Sequence, residues 1–255
     1  MQTLGIIGGS GLARLEALRP DRQEFFATPY GEPSAPLTFG ELEGSPVVFL
    51  PRHGASHSIP PHRVNYRANL WAMKQAGVER IVGVAAVGGI TAAMAPGVLC
   101  VPDQVIDYTW GREHTLFAGD LDGVTHIDFS EPYCEALRQD LLRAAGAVGV
   151  TVLAGGTYGA TQGPRLESAA EIRRMEADGC DVVGMTGMPE TSLARELALC
   201  YASLALSVNW AAGKSDGPIT MDEIQSHLDQ GIAVALKVLA AAVGGRRDGR
   251  RRRHP

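Results

Sequence analysis

The chain has 255 residues, 45% of them hydrophobic, with a mean hydropathy near zero, which is enough apolar content for one substantial globular core and excludes a disordered chain or a disulfide-stapled mini-fold. Thirty-one glycines beside three Trp, six Tyr and six Phe describe many tight turns, and without a three-residue glycine period they exclude collagen. The formal charge of −5 is uneven: six of the 23 basic and one of the 28 acidic residues lie between Arg246 and Pro255, which leaves the body at −10. That pattern predicts one domain over 1–243, a solvated basic tail over 244–255 with no assigned function, and no nucleic-acid partner.

No stretch approaches the ~18 consecutive apolar residues of a membrane span. The opening Met1-Gln2-Thr3-Leu4-Gly5 carries no basic leader. A cytoplasmic protein without a membrane partner is expected. Cys100, Cys134, Cys180 and Cys200 are widely spaced in mostly apolar surroundings, which reads as buried reduced thiols with no metal site.

Short apolar, β-branched runs alternate with helical periodicities, the pattern of a single-domain α/β fold with a mixed twisted sheet flanked by helices. In chain order, Leu4 to Ile7 is a strand, and Leu37 to Leu42 with Val47 to Leu50 form a hairpin about Glu43-Gly44. A helix over Arg63 to Gln75 closes at Gly77, followed by strands over Arg80 to Ala86 and Leu99 to Asp107. Pro132 to Ala147 is helical, Val152 to Tyr158 a strand, Ser168 to Ala177 a helix closed by Gly179, and Val182 to Gly184 a strand. A helix over Glu190 to Leu199, a strand over Ser203 to Val208 and a helix over Met221 to Val243 complete the chain, the last with Thr220 as N-cap and Glu223 three residues on.

Several strands end in loops of glycine, small residues and hydrogen-bonding groups: Gly8-Gly9-Ser10-Gly11, Arg52-His53-Gly54, Ala86-Val87-Gly88-Gly89, Met185-Thr186-Gly187 and Asn209-Trp210-Ala211-Ala212-Gly213. Ligands in open α/β sheets bind outside the carboxyl ends of the strands, where these loops can converge. The first lacks G-x-G-x-x-G spacing, and Gly213-Lys214-Ser215 is no P-loop because Val208 stands where its first glycine belongs. The pattern fits one small anion such as phosphate, surrounded by backbone N–H groups, Ser10, Arg52, His53 and Thr186.

With Gly5-Ile6-Ile7-Gly8-Gly9-Ser10-Gly11-Leu12, Val64-Asn65-Tyr66-Arg67-Ala68-Asn69, Thr161-Gln162-Gly163-Pro164-Arg165 and Gly184-Met185-Thr186-Gly187-Met188-Pro189-Glu190, the chain resembles the trimeric-type purine nucleoside phosphorylases over roughly 4 to 243, and among them the methylthioadenosine phosphorylase branch. The resemblance implies a homotrimer with sites at subunit interfaces, phosphorolysis of a purine nucleoside with inorganic phosphate as co-substrate, and no metal or organic cofactor. It places Ser10, Arg52, His53, Ala86 (through its backbone N–H) and Thr186 at the phosphate, Met185 against the ribose, and His126 in the neighbouring subunit's sugar pocket. Ala85 stands where a hydroxyl-bearing residue is common.

The same resemblance bears on specificity. Its 6-aminopurine members carry aspartates where Asn209 and Ala211 stand here, whereas its 6-oxopurine members have an asparagine at the first position and a glutamate at Glu167. Asn209 can donate to O6 and engage N7, and Glu167 can accept from N1–H, a proton adenine lacks. Leu166 replaces the usual phenylalanine, so stacking on the base is reduced. Met221 stands where ordinary 6-oxopurine phosphorylases have a histidine for the 5′-hydroxyl, and suits a methylthio group; it reads equally as a core methionine. Together these features lead to 5′-methylthioinosine as substrate, with a general 6-oxopurine phosphorylase, a methylthioadenosine phosphorylase and a non-catalytic nucleoside or phosphate binder as the alternatives.

Overall fold

A computed structural model describes residues 3–12, 17–119 and 123–244. They form an eleven-stranded mixed sheet and five α-helices, as the alternating pattern predicts. Strand β1 (Leu4–Gly8) lies between two parallel neighbours, β4 (Ser45–Pro51) and β5 (Arg80–Gly89), and β3 (Leu37–Leu42) pairs antiparallel with β4. Strand β2 (Arg19–Glu24) adds an antiparallel edge to β3. Its sequence, Arg-Pro-Asp-Arg-Gln-Glu, is exposed throughout and has no apolar alternation, so backbone pairing alone makes it a strand; its proline sits beside a register shift.

The side-chain period of two sorts β1 and β5 between two layers. Ile6 and Val82 join the core beneath α2 (Glu135–Ala147) and α5 (Met221–Gly244), whereas Ile7 and Ile81 join that beneath α1 (Tyr66–Gln75) and α4 (Gly187–Glu196). Helix α5 is long and apolar enough to cross a bilayer by composition, yet Leu228, Ala235, Val238 and Leu239 are buried against the sheet. Gly231 lets α5 approach closely, because a Cβ there would lie 2.4 Å from the Leu206 methyls. The remaining helix, α3 (Ala169–Ala177), starts with a complete capping box between Ser168 and Glu171.

Two expected strands are each divided. Leu99 to Asp107 becomes β6 (Leu99–Val101) and β7 (Gln104–Asp107), which pair with different neighbours on either side of Pro102. Val152 to Tyr158 becomes β8 (Val152–Ala154) and β9 (Thr157–Ala160), separated by Gly155 and Gly156 at positive φ. Helix α2 begins three residues later than its periodicity suggests, with Cys134 as N-cap. The tail expected over 244–255 lies outside the described residues beyond Gly244, the last residue of α5.

The cysteine expectation needs correction. Cys100 and Cys180 are free and buried, but Cys134 and Cys200 are joined by a disulfide. They are 66 residues apart in sequence, and spacing carried no sign of the pair. Docking of α2 against the start of β11 (Cys200–Trp210) brings them together, and the Cys134 N–H donates to the Tyr201 carbonyl at 2.8 Å.

The sheet forks at β5. Its first half pairs with β1 as far as Gly83, and only Gly88 and Gly89 pair with β10 (Val182–Gly184). Between those contacts, Val84 to Val87 has one edge open, while β11 pairs along the other. The converging loops meet at this opening.

Candidate active site

A cavity of about 180 Å³ occupies the fork, far more than one water needs. The ends of β1, β4, β5, β10 and β11 supply its walls through Gly9, Ser10, Arg52, His53, Ala85 to Gly88, Met185, Thr186 and Asn209, and the loop before α3 adds Leu166 and Glu167. Nine of the eleven residues expected at the site from sequence therefore line one cavity. Met221 and His126 do not.

On one wall, the Gly8-Gly9-Ser10 loop lies against the open edge of β5. A Cβ on Gly9 would meet the Val84 carbonyl at 2.7 Å and the Arg52 Nη1 at 2.9 Å, so a side chain there has no room. The Val84 carbonyl points toward this edge and accepts from Arg52 Nη1 at 2.9 Å. Residues two apart along a strand present the same edge, so the Ala86 N–H faces the same way, as a backbone contact to an anion requires. The Thr186 side chain makes no capping bond to α4, and its own N–H donates to the Tyr158 hydroxyl at 3.4 Å.

Arg52 is held more tightly than its expected role suggests. It is 1% exposed, its Nε and Nη2 donate to the two Glu190 carboxylate oxygens at 2.6 and 2.7 Å, and the Tyr201 hydroxyl donates to the same carboxylate at 2.7 Å. Burial disfavours the guanidinium charge, but Glu190 more than offsets this and raises the Arg52 pKa. The pair is internally neutral, so Arg52 offers the cavity its unused N–H directions more than a free positive charge.

His53 is also neutral. Its Nδ1 lies 2.8 Å from the Ile59 carbonyl, which can only accept, so the proton is on Nδ1 and Nε2 keeps its lone pair. Burial, and then the Arg52 charge, lower its pKa from 6.5 to about 4. The Ile59 N–H returns a bond to the His53 carbonyl at 3.0 Å, closing the 53–59 loop on itself.

In the loop before α3, the Thr161 hydroxyl donates to Glu167 Oε1 at 2.6 Å, which fixes the carboxylate and leaves its second oxygen as an acceptor. Asn209 follows a β-bulge in β11. The irregularity between Ser207 and Asn209 sets Asn209 opposite Gly88, off the face that buried Ser207 occupies. Its Nδ2 donates to the Trp210 carbonyl at 2.7 Å, leaving one amide N–H and the amide oxygen available. Ala211, 2% exposed, adds no polar group to this wall.

Ile219 and Ile224 add apolar side chains to the lining. Met221 is 71% exposed and outside the lining of this cavity, which corrects the alternative reading of it as a core methionine. It lies on the α5 stripe that carries Ile224 and Leu228, but in the first turn, ahead of where the helix meets the rest of the chain. His126 is exposed on a separate segment of the same chain.

Sequence reasoning missed Arg112 and Glu190. Arg112 donates to the carbonyls of Thr161, Gln162, Met185 and Met188 at 2.6 to 3.1 Å, tying the loop that leads to Glu167 to the loop that carries Thr186. Nothing in Thr109-Trp110-Gly111-Arg112 distinguishes it from a surface arginine. Glu190 ends the Gly184-Met185-Thr186-Gly187-Met188-Pro189-Glu190 motif, and only its burial against Arg52 reveals that it is the partner of that arginine.

Comparison with known proteins identifies the family. The family model described as the phosphorylase superfamily matches residues 3–244. A Pseudomonas syringae pv. tomato protein named probable S-methyl-5′-thioinosine phosphorylase is 56% identical over 240 residues, covering 94% of this chain and 98% of its own. A Dictyoglomus turgidum protein named probable 6-oxopurine nucleoside phosphorylase is 45% identical, covering 94% and 90%. The solved structure of methylthioadenosine phosphorylase from Schistosoma mansoni in complex with adenine superposes with a TM-score of 0.93 at 34% identity, covering 97% of this chain and 93% of that one.

Proposed function

Because the chain belongs to the phosphorylase superfamily, we propose that it is a purine nucleoside phosphorylase that converts 5′-methylthioinosine and inorganic phosphate to hypoxanthine and 5-methylthioribose 1-phosphate, a purine and methylthio salvage reaction. The observation that carries this reading is the cavity itself. Its lining gathers the hydroxyl and N–H donors of Ser10, Arg52, His53 and Thr186, the polar side chains of Glu167 and Asn209, and the apolar Ile219 and Ile224, which supports a reading with phosphate, base and methylthio subsites.

Phosphate, seated among Ser10, Arg52, His53 and Thr186, attacks C1′ on the face opposite the base as the N-glycosidic bond breaks. The bond electrons pass to the purine, and the proton that phosphate gives up matches the one hypoxanthine gains. The attacking anion stabilises the oxocarbenium-like sugar, and Asn209, engaging O6 and N7, spreads the charge on the leaving base. Glu167 accepts from N1–H, which selects a 6-oxopurine because adenine presents a lone pair there. Ile219 and Ile224 hold the methylthio group. Phosphate is the co-substrate, and the reaction needs no metal, organic cofactor or covalent enzyme nucleophile.

The active unit in this reading is a cytoplasmic homotrimer in which His126 of one copy reaches the sugar of the next, and in which the exposed Leu166 and Met221 face a neighbouring copy. The relatives named 6-oxopurine phosphorylases favour the same base reading, while the 34% identity to a methylthioadenosine phosphorylase leaves the base pocket free to differ. The test is release of hypoxanthine from methylthioinosine with and without inorganic phosphate, together with identification of the sugar product. Stoichiometric sugar 1-phosphate supports the proposal, and equal release in phosphate-free buffer overturns it.

A further inference from the structure

The phosphate end of the cavity lacks an uncompensated cation. Among its described lining residues only Arg52, His53 and Glu167 are ionisable; the Arg52 charge is committed to Glu190, and His53 is held neutral by burial and by its bond to Ile59. An anion seated there is met by hydroxyls and N–H groups alone, unless a further group comes from the rim.

One side chain on the rim has the required chemistry. His57 is exposed, sits at the tip of the 53–59 loop, and adopts φ +53°, a left-handed backbone that non-glycine residues rarely occupy. Its N–H bonds to the Gly54 carbonyl at 3.1 Å, so the loop's own hydrogen bonds hold this conformation. The imidazole packs on His53 with ring centroids 4.7 Å apart, and its Nε2 lies 3.4 Å from Ser10 Oγ, the hydroxyl that lines the anion end. The groups facing it are thus Ser10 from the β1 loop and His53 from its own loop, with the Arg52–Glu190 pair behind them.

We propose that His57 is a phosphate-binding residue: its Nε2–H and the Ser10 hydroxyl donate to the same oxygen side of the attacking phosphate, adding a side-chain donor where the charge of the buried arginine is committed to Glu190. The inference rests on the phosphorolytic reading above and adds a residue to its anion site. The left-handed backbone is then the means by which a short loop turns an imidazole back over Ser10.

The test compares wild type with His57→Asn, since asparagine tolerates the left-handed backbone while lacking the imidazole, and with His57→Gly, which removes any backbone penalty if the first variant fails to fold. The phosphate KM should rise about tenfold, the loss of one exposed hydrogen bond to an anion, while the nucleoside KM stays within about twofold. Thermal stabilisation by inorganic phosphate alone should weaken in parallel. An unchanged phosphate KM in either folded variant overturns the proposal, and so does an equal rise in both Michaelis constants. A wild-type enzyme that cleaves nucleoside without phosphate overturns the phosphorolytic reading itself, and this is seen before any variant is made.

Discussion

Replacing Arg52 with alanine should damage the fold before it damages phosphate affinity. The guanidinium is 1% exposed and binds both Glu190 oxygens, at 2.6 and 2.7 Å, and the Val84 carbonyl at 2.9 Å. In Arg52→Ala the Glu190 carboxylate is left buried with the Tyr201 hydroxyl as its remaining partner in this cluster. Breaking a buried pair on one side costs about 3 to 5 kcal/mol. At about 2 to 4 °C per kcal/mol for a chain near this size, the melting temperature should fall by roughly 6 to 20 °C. Arg52→Met with Glu190→Leu removes both charges and should recover most of that stability, yet leave phosphate affinity low. Urea unfolding and phosphate KM, measured on the same preparations, separate the two effects. If Arg52→Ala unfolds at the wild-type midpoint and loses only phosphate affinity, the guanidinium is not bound as the structure shows, and the argument for a charge-poor anion end fails with it.

The remaining expectations concern pH, base, sugar and disulfide. The native state holds His53 neutral to about pH 4 while the unfolded chain protonates near its ordinary 6.5; its contribution is therefore complete above pH 6.5 and lost toward pH 4, by roughly 3 kcal/mol. Urea midpoints from pH 7 to 4.5 should slope less in His53→Asn than in wild type, and parallel curves would refute the assignment. Asn209→Asp should move base preference toward 6-aminopurines while slowing the native reaction, as read from paired rates on methylthioinosine and methylthioadenosine. Ile224→Ser should lower the methylthioinosine to inosine efficiency ratio by about tenfold, through a roughly 1 to 2 kcal/mol loss of apolar contact. Cys134→Ser should cost about 4 kcal/mol of unfolding free energy through the long loop it reopens, measured under non-reducing conditions.

What was legible in the sequence is what local pattern encodes. The apolar runs gave β1, β4, β5 and β11, and the loops after them held residues that line the cavity, because strand ends in such sheets converge by topology. The helix expected from Ser168 to Ala177 is α3 within a residue, and the structure adds the capping box of Ser168 and Glu171 that starts it. The missed features depend on long-range docking. Strand β2 exists only because β3 offers an edge, the Cys134–Cys200 bond because α2 docks on β11, and the neutralisation of Arg52 because α4 brings Glu190 against it. The core alternative for Met221 fails for a related reason: helical spacing puts it on the stripe of Ile224 and Leu228, but spacing does not say where the helix passes the edge of the core.

The central claim is that one cavity reads a 6-oxopurine at Glu167 and Asn209 and an apolar 5′ end at Ile219 and Ile224. The most direct measurement is catalytic efficiency at saturating phosphate for methylthioinosine, methylthioadenosine and inosine on the same enzyme. Methylthioinosine should lead, exceeding inosine by about one to two orders of magnitude because a 5′-hydroxyl is left without a partner beside these apolar side chains. A wide preference for methylthioadenosine would contradict the roles of Glu167 and Asn209, and equal efficiency on inosine would contradict those of Ile219 and Ile224.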